Sequence, residues 1–99
     1  MPDPRRGVAW EFSIGLVDTS NRPFFKVNPT IATGDFTISK DYGSLANMGT
    51  LPVVAPAGGR GVRFQLSASE MTADYIQIVG VDLAGSEWDD VFIFLTTGP

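Results

Sequence analysis

Residues 67 to 74, Ser-Ala-Ser-Glu-Met-Thr-Ala-Asp, bring serines, a threonine and carboxylates together, the residue types from which a hydrolytic site is assembled. A serine becomes a nucleophile only when a neighbouring base takes its proton. The chain contains no histidine and no cysteine, which removes Ser-His-Asp triads, thiol nucleophiles and Cys/His zinc sites. For Ser67 or Ser69 the bases that remain are a carboxylate or one of the lysines, Lys26 and Lys40. The spacing points elsewhere. Ser67-x-x-Glu70 is the capping-box pattern, in which the serine oxygen accepts from the N–H three residues on and the glutamate reaches back to the serine N–H. It predicts one short helical turn, from Ala68 to about Ala73, connecting two strands. No catalytic residue is expected here, and the protein is expected not to be an enzyme.

Two other groups invite a chemical reading. Asp82, Glu87, Asp89 and Asp90 flank a turn and carry the oxygen ligands that Ca²⁺ takes, but Ca²⁺ needs about six to eight of them, and the spacing departs from the known calcium loop. A solvated turn is expected, with no metal and no cofactor. Gly58-Gly59-Arg60-Gly61 lacks the Lys-Ser/Thr of a phosphate loop and leads into a strand rather than a helix N-terminus. The aromatics Trp10, Trp88, Tyr42 and Tyr75 remain, since exposed rings stack on sugars or anchor partners. Trp10 is in register with the buried side of its strand and is expected in the core. Tyr42, at a hairpin tip, and Trp88, beside the acidic turn, are expected half exposed and are candidate interface residues.

The elements that must position these groups are strands. Val8, Trp10, Phe12, Ile14 and Leu16 alternate with Ala9, Glu11, Ser13 and Gly15, which predicts a half-buried strand from Val8 to Leu16. Phe24, Phe25 and Val27 suggest a short edge strand ending at Pro29. Phe36 and Ile38, a turn at Asp41-Tyr42-Gly43, and Leu45 and Met48 read as a hairpin. The Gly- and Pro-rich residues 55 to 61 suit a bend between sheets. Val62, Phe64 and Leu66 alternate with Arg63, Gln65 and Ser67, and a strand from Tyr75 to Asp82 follows the connector. A hairpin turn centred on Gly85 leads to Val91–Leu95, a run apolar on both faces. Such a strand either lies centrally between layers or has its second face covered by another chain. Phe92 and Phe94 are therefore expected to point away from the core. At least one of Gly34, Gly43 and Gly85 is expected at positive φ.

About seven short strands with frequent turns predict an all-β, two-sheet sandwich. With 99 residues and 43% apolar content, one domain over residues 8–99 is expected, preceded by a flexible N-terminal arm, residues 1–7. The formal charge of −4 offers no broad attraction to nucleic acid or anionic lipid. No apolar stretch approaches the length of a membrane span, so a soluble chain without nucleic-acid or membrane partners is expected.

The motif order resembles a family. Gly34-Asp35-Phe36, the hairpin Ser39 to Gly43, the connector Leu66 to Asp74 and the turn Ala84 to Asp90 are similar to those of small immunoglobulin-like β-sandwich proteins from phage and prophage structural regions. These occur as free-standing virion proteins and as modules of baseplate or tail-fibre proteins, and the likeness covers about residues 17 to 97. It implies an immunoglobulin-like antiparallel β-sandwich located in the virion. The implied role is non-enzymatic, as a capsid decoration or minor capsid protein packing against major capsid, neck or tail proteins and copies of itself. A neck, tail or baseplate component, or a receptor-binding module using Tyr42 and Trp88 against host glycan, are the alternatives.

Overall fold

Period-two alternation builds the long strands. In the computed structural model, which describes residues 3–98, these are β1 (Trp10–Gly15), β2 (Phe36–Lys40), β5 (Gly61–Leu66), β6 (Tyr75–Gly80) and β7 (Val91–Thr96). Two-residue strands β3 (Ala46–Asn47) and β4 (Val53–Val54) complete the set. All pairings between strands are antiparallel and give a three-stranded sheet, β1-β5-β4, and a four-stranded sheet, β3-β2-β6-β7. One hydrophobic core is shared by the inner faces of both sheets, an arrangement consistent with a β-sandwich. No helix forms among the described residues, so none is long and apolar enough to cross a membrane.

A run of aromatic rings crosses the core. Phe12 stacks on Phe64 within the first sheet (4.9 Å, 9°), and Phe64 meets Phe36 of the second sheet edge-on (4.9 Å, 90°). Phe36 in turn stacks on Trp88 (5.1 Å, 11°). Opposite Phe36 in the ladder sits Gly80, and a Cβ there would overlap the Phe36 ring. The glycine is what lets the ring lie flat across the sheet.

Several expectations are corrected. Trp88 is 2% exposed rather than half exposed, because its ring fills the core against Phe36 while its indole N–H donates to the Thr30 carbonyl (3.2 Å). Trp10 packs on the core margin, partly buried, rather than within it. β1 is shorter than expected, and Val8 is exposed. The Phe24 to Val27 strand reduces to a single bridge, Phe25 to Val17. Residues 55 to 61 do not change sheets: they close a hairpin between β4 and β5. The glycine expectation holds at Gly34 (φ +95°), while at the other two turns positive φ falls on Asp41, Tyr42 and Ser86 rather than on Gly43 or Gly85. Of the two alternatives for the Val91–Leu95 run the central one falls, since β7 is an edge strand. Within the expected arm, Met1 and Pro2 lie outside the described residues, as does Pro99. Pro4 to Gly7 are held by Arg6 N–H to Gly98 O (2.9 Å), Gly98 N–H to Pro4 O (3.0 Å) and Gly7 N–H to Met71 O (2.9 Å).

The connector folds as its capping box dictates, into a single turn. Glu70 N–H donates to Ser67 Oγ (3.1 Å), Ser67 N–H donates to Glu70 Oε1 (3.0 Å), and Met71 N–H closes the turn on Ser67 O (3.0 Å). The second carboxylate oxygen of Glu70 accepts from Gly49 N–H (3.0 Å), tying the connector to the loop after β3. Ser67→Ala is expected to lower stability by about 0.5–2 kcal/mol through the lost cap. Glu70→Ala should cost more, since it strips acceptors from two backbone donors. Urea denaturation of both variants measures the difference.

At the entrance to β7, Asp89 takes a two-point contact from Arg22 (Nη2 to Oδ1 2.6 Å, Nε to Oδ2 2.8 Å), while Asp89 N–H donates to Val17 O (2.9 Å). Hydrogen bonding from the Arg22 guanidinium, with its charge, holds the Asp89 carboxyl below the usual range. Because the folded value is depressed, this contribution is present above the ordinary carboxylate pKa and is lost as pH falls through the folded value. In Arg22→Gln the Asp89 titration, followed by carboxyl NMR, should move up toward the ordinary value, and acid unfolding should begin at higher pH.

Candidate functional site

The outer face of the four-stranded sheet is set by ladder register. Tyr75, Gln77 and Val79 of β6 stand directly opposite Thr96, Phe94 and Phe92 of β7. Directly opposite residues share a face, and Ile76, Ile78, Val91, Ile93 and Leu95 take the inner one. Phe92 and Phe94 consequently point into solvent, 63% and 43% exposed. On the β2 side the same face continues through the polar Thr37 and Ser39.

Tyr42 joins this face from the hairpin tip. Its ring lies 5.5 Å from Tyr75 and 6.3 Å from Phe94, and Tyr75 lies 6.1 Å from Phe94 at 15°. Three rings thus make one continuous surface, with Tyr42 itself 64% exposed. The turn that presents it is strained. Asp41 and Tyr42 both have positive φ (50° and 62°), with Gly43 N–H closing on Lys40 O (2.9 Å), the geometry of a type I′ hairpin turn. A bulky residue at positive φ costs of order 1–3 kcal/mol and persists only where its surroundings hold it. Here Asp41 Oδ1 accepts from Asp74 N–H (2.9 Å) and Tyr75 N–H (3.0 Å), and Ser39 Oγ donates to Gly43 O (2.7 Å).

The chain matches no family model, no curated protein and no solved structure. The surface must therefore be read from its own chemistry.

The other candidate groups are engaged in holding loops. Ser67 Oγ is the cap acceptor, and Lys40 Nζ reaches the connector but donates to the carbonyl of Ser69 (3.2 Å), not to its hydroxyl. Buried Asp82 accepts from Gly85 N–H (3.0 Å) and Glu87 N–H (2.7 Å), shaping the turn beside it. Glu87 accepts from Thr30 N–H (3.1 Å). Among the described residues, no cluster of three or more carboxylates is placed to hold a metal ion. Of the four residues expected at an interface, Tyr42, Phe92 and Phe94 come together on one face and Trp88 leaves it. Tyr75, an aromatic candidate not assigned to the interface from the sequence, takes its place. Its signal was its parity with Gln77 and Val79 on the wet side of β6.

Tyr42→Gly and Tyr42→Ala both remove the ring, but only glycine relieves the positive φ. The glycine variant is expected to be more stable than the alanine variant by roughly 1 kcal/mol. Thermal or urea denaturation of the pair checks this, and the reverse order would contradict the left-handed turn.

Proposed function

We propose that this protein is a non-enzymatic structural component of a phage particle, an immunoglobulin-like β-sandwich that packs against neighbouring subunits through the aromatic face of its four-stranded sheet. The observation that carries the reading is the contiguous exposure of Tyr42, Tyr75 and Phe94, with Phe92 beside them, in a domain whose core is filled without any of them. Four large apolar side chains on strands and a tethered tip form a rigid surface, and little ordering is needed when a partner covers it. The motif likeness to phage virion proteins supports a place in the particle, with capsid decoration as the first assignment and neck, tail or baseplate as the alternative. No catalytic role is assigned. The host-glycan reading is weaker, since Trp88, one of its two stacking residues, is buried against Phe36.

Burial of each phenylalanine contributes on the order of 1.5–3 kcal/mol, so losing both should weaken attachment by about a hundredfold or more. Phe92→Ser combined with Phe94→Ser is expected to give a folded protein by circular dichroism that no longer co-sediments with empty capsids. A folded double variant that still sediments with capsids sinks the reading, and wild-type binding to a glycan panel instead of capsids would replace it.

A further inference from the structure

The far edge of β7 is an open strand edge, and its direction is fixed by the flanking bonds. Thr97 N–H donates to Asp74 O (3.1 Å), on the β6 side, whereas Gly98 N–H donates to Pro4 O (3.0 Å), on the opposite side. Backbone groups alternate sides along an antiparallel strand. The N–H and C=O of Ile93 and Leu95 therefore serve β6, and those of Phe92, Phe94 and Thr96 point outward, where no strand among the described residues pairs with them. No Cα of β1 lies within 8 Å of β7. The open window is bounded at its far end by the Arg5 to Gly98 bridge.

Native sheets blunt their edges with short strands, charges, prolines or bulges. Edge strands β3 and β4 are two residues each, and edge strand β1 carries Glu11. Val-Phe-Ile-Phe-Leu-Thr in β7 has six residues and none of those devices. Charge at the two ends of the window is opposite. Exposed Asp90 precedes the strand and exposed Arg5 lies beside its far end, and among the described residues neither has an ion-pair partner.

We infer that β7 pairs with β7 of a second copy, antiparallel, about a two-fold axis at Phe94. In this register Phe94 lies opposite Phe94 of the second copy, and Phe92 opposite its Thr96, each pair exchanging its outward N–H and C=O bonds. The pairing stops where Asp90 reaches the second copy's Pro4 to Arg6 segment, which sets its carboxylate beside the Arg5 guanidinium, twice by symmetry. The two Phe94 rings meet on the outer face, so the aromatic surface runs unbroken across both copies. This pairing does not depend on what covers that face.

Thr96→Pro separates the two, because it removes an outward N–H that β6 does not use and leaves every aromatic residue in place. Wild-type protein is expected to sediment as a monomer when dilute and a dimer when concentrated. Amide exchange at Phe92, Phe94 and Thr96 should slow with concentration, with no change at Ile93 and Leu95. Thr96→Pro, and Thr96→Lys should the proline variant not fold, are expected to be folded monomers at every concentration. A wild-type chain that stays monomeric overturns the inference. So does a dimer that survives in a folded Thr96→Pro variant, or in Thr96→Lys where the proline variant does not fold, and so does one that leaves the Phe92, Phe94 and Thr96 amides unprotected. Capsid co-sedimentation, measured separately, reports on the aromatic face alone.

Discussion

The contact on which the rest of the structure depends is Phe36 lying across Gly80. Only at a residue without Cβ can the ring lie flat over the neighbouring strand, and from that position it touches Phe64 of the other sheet and Trp88 of the chain entering β7. A pair of aromatic rings in such geometry contributes about 0.5–1.5 kcal/mol beyond its buried area. Three consecutive contacts, Phe12 to Phe64 to Phe36 to Trp88, therefore join β1, β5, β2 and the approach to β7. Trp88 is drawn inward by this column. Its backbone then falls into a bridge with Asp18, which stitches the chain leaving β1 to the chain entering β7.

Once those rings fill the core, nothing inside needs Tyr42, Tyr75, Phe92 or Phe94. Two sheets facing each other can bury only one face of each. β7 nevertheless carries large apolar groups on both faces, so Phe92 and Phe94, on the outer one, are left uncovered. The inner residues Val91, Ile93 and Leu95 are themselves only partly buried, as befits an edge. Apolar surface that the core does not use thus lies on the strand with the least protected edge.

The long strands were legible because six alternating residues carry a period, as β1, β5 and β6 do. The return of the hairpin at Leu45 to Met48 was legible too, though it pairs only over β3, whereas β4 was not, since two residues have no period and owe their place to a long neighbour. Ser67-x-x-Glu70 could be read to the atom because its bonds are local, whereas the bond from Glu70 to Gly49 N–H spans the fold and left no local mark. Trp88 was misread for the same reason. Its neighbours Glu87 and Asp89 look like a wet surface, yet they serve Thr30 N–H and Arg22, and the indole between them faces the core. Positive φ was expected of at least one turn glycine and Gly34 takes it, while at the β2 hairpin Asp41 and Tyr42 take it under tethers supplied by Ser39 and by the backbone of Asp74 and Tyr75. Phe92 and Phe94 could be chosen from the doubly apolar run, while Tyr75 joins them only through its register with Thr96.

Side-chain direction and backbone direction both repeat every two residues along a strand, so in β7 they are locked to one another. The residues that send their rings outward, Phe92 and Phe94, also send their N–H and C=O groups to the open edge. A slip of one residue against β6 would exchange both properties together, placing the rings in the core and turning Ile93 and Leu95 outward. Register against β6 therefore fixes the aromatic face and the open edge at once. That register is in turn fixed by the inner residues Ile76, Ile78, Ile93 and Leu95. The surface chemistry of the last strand is thus set from within, by the same core that Phe36 and Gly80 hold together.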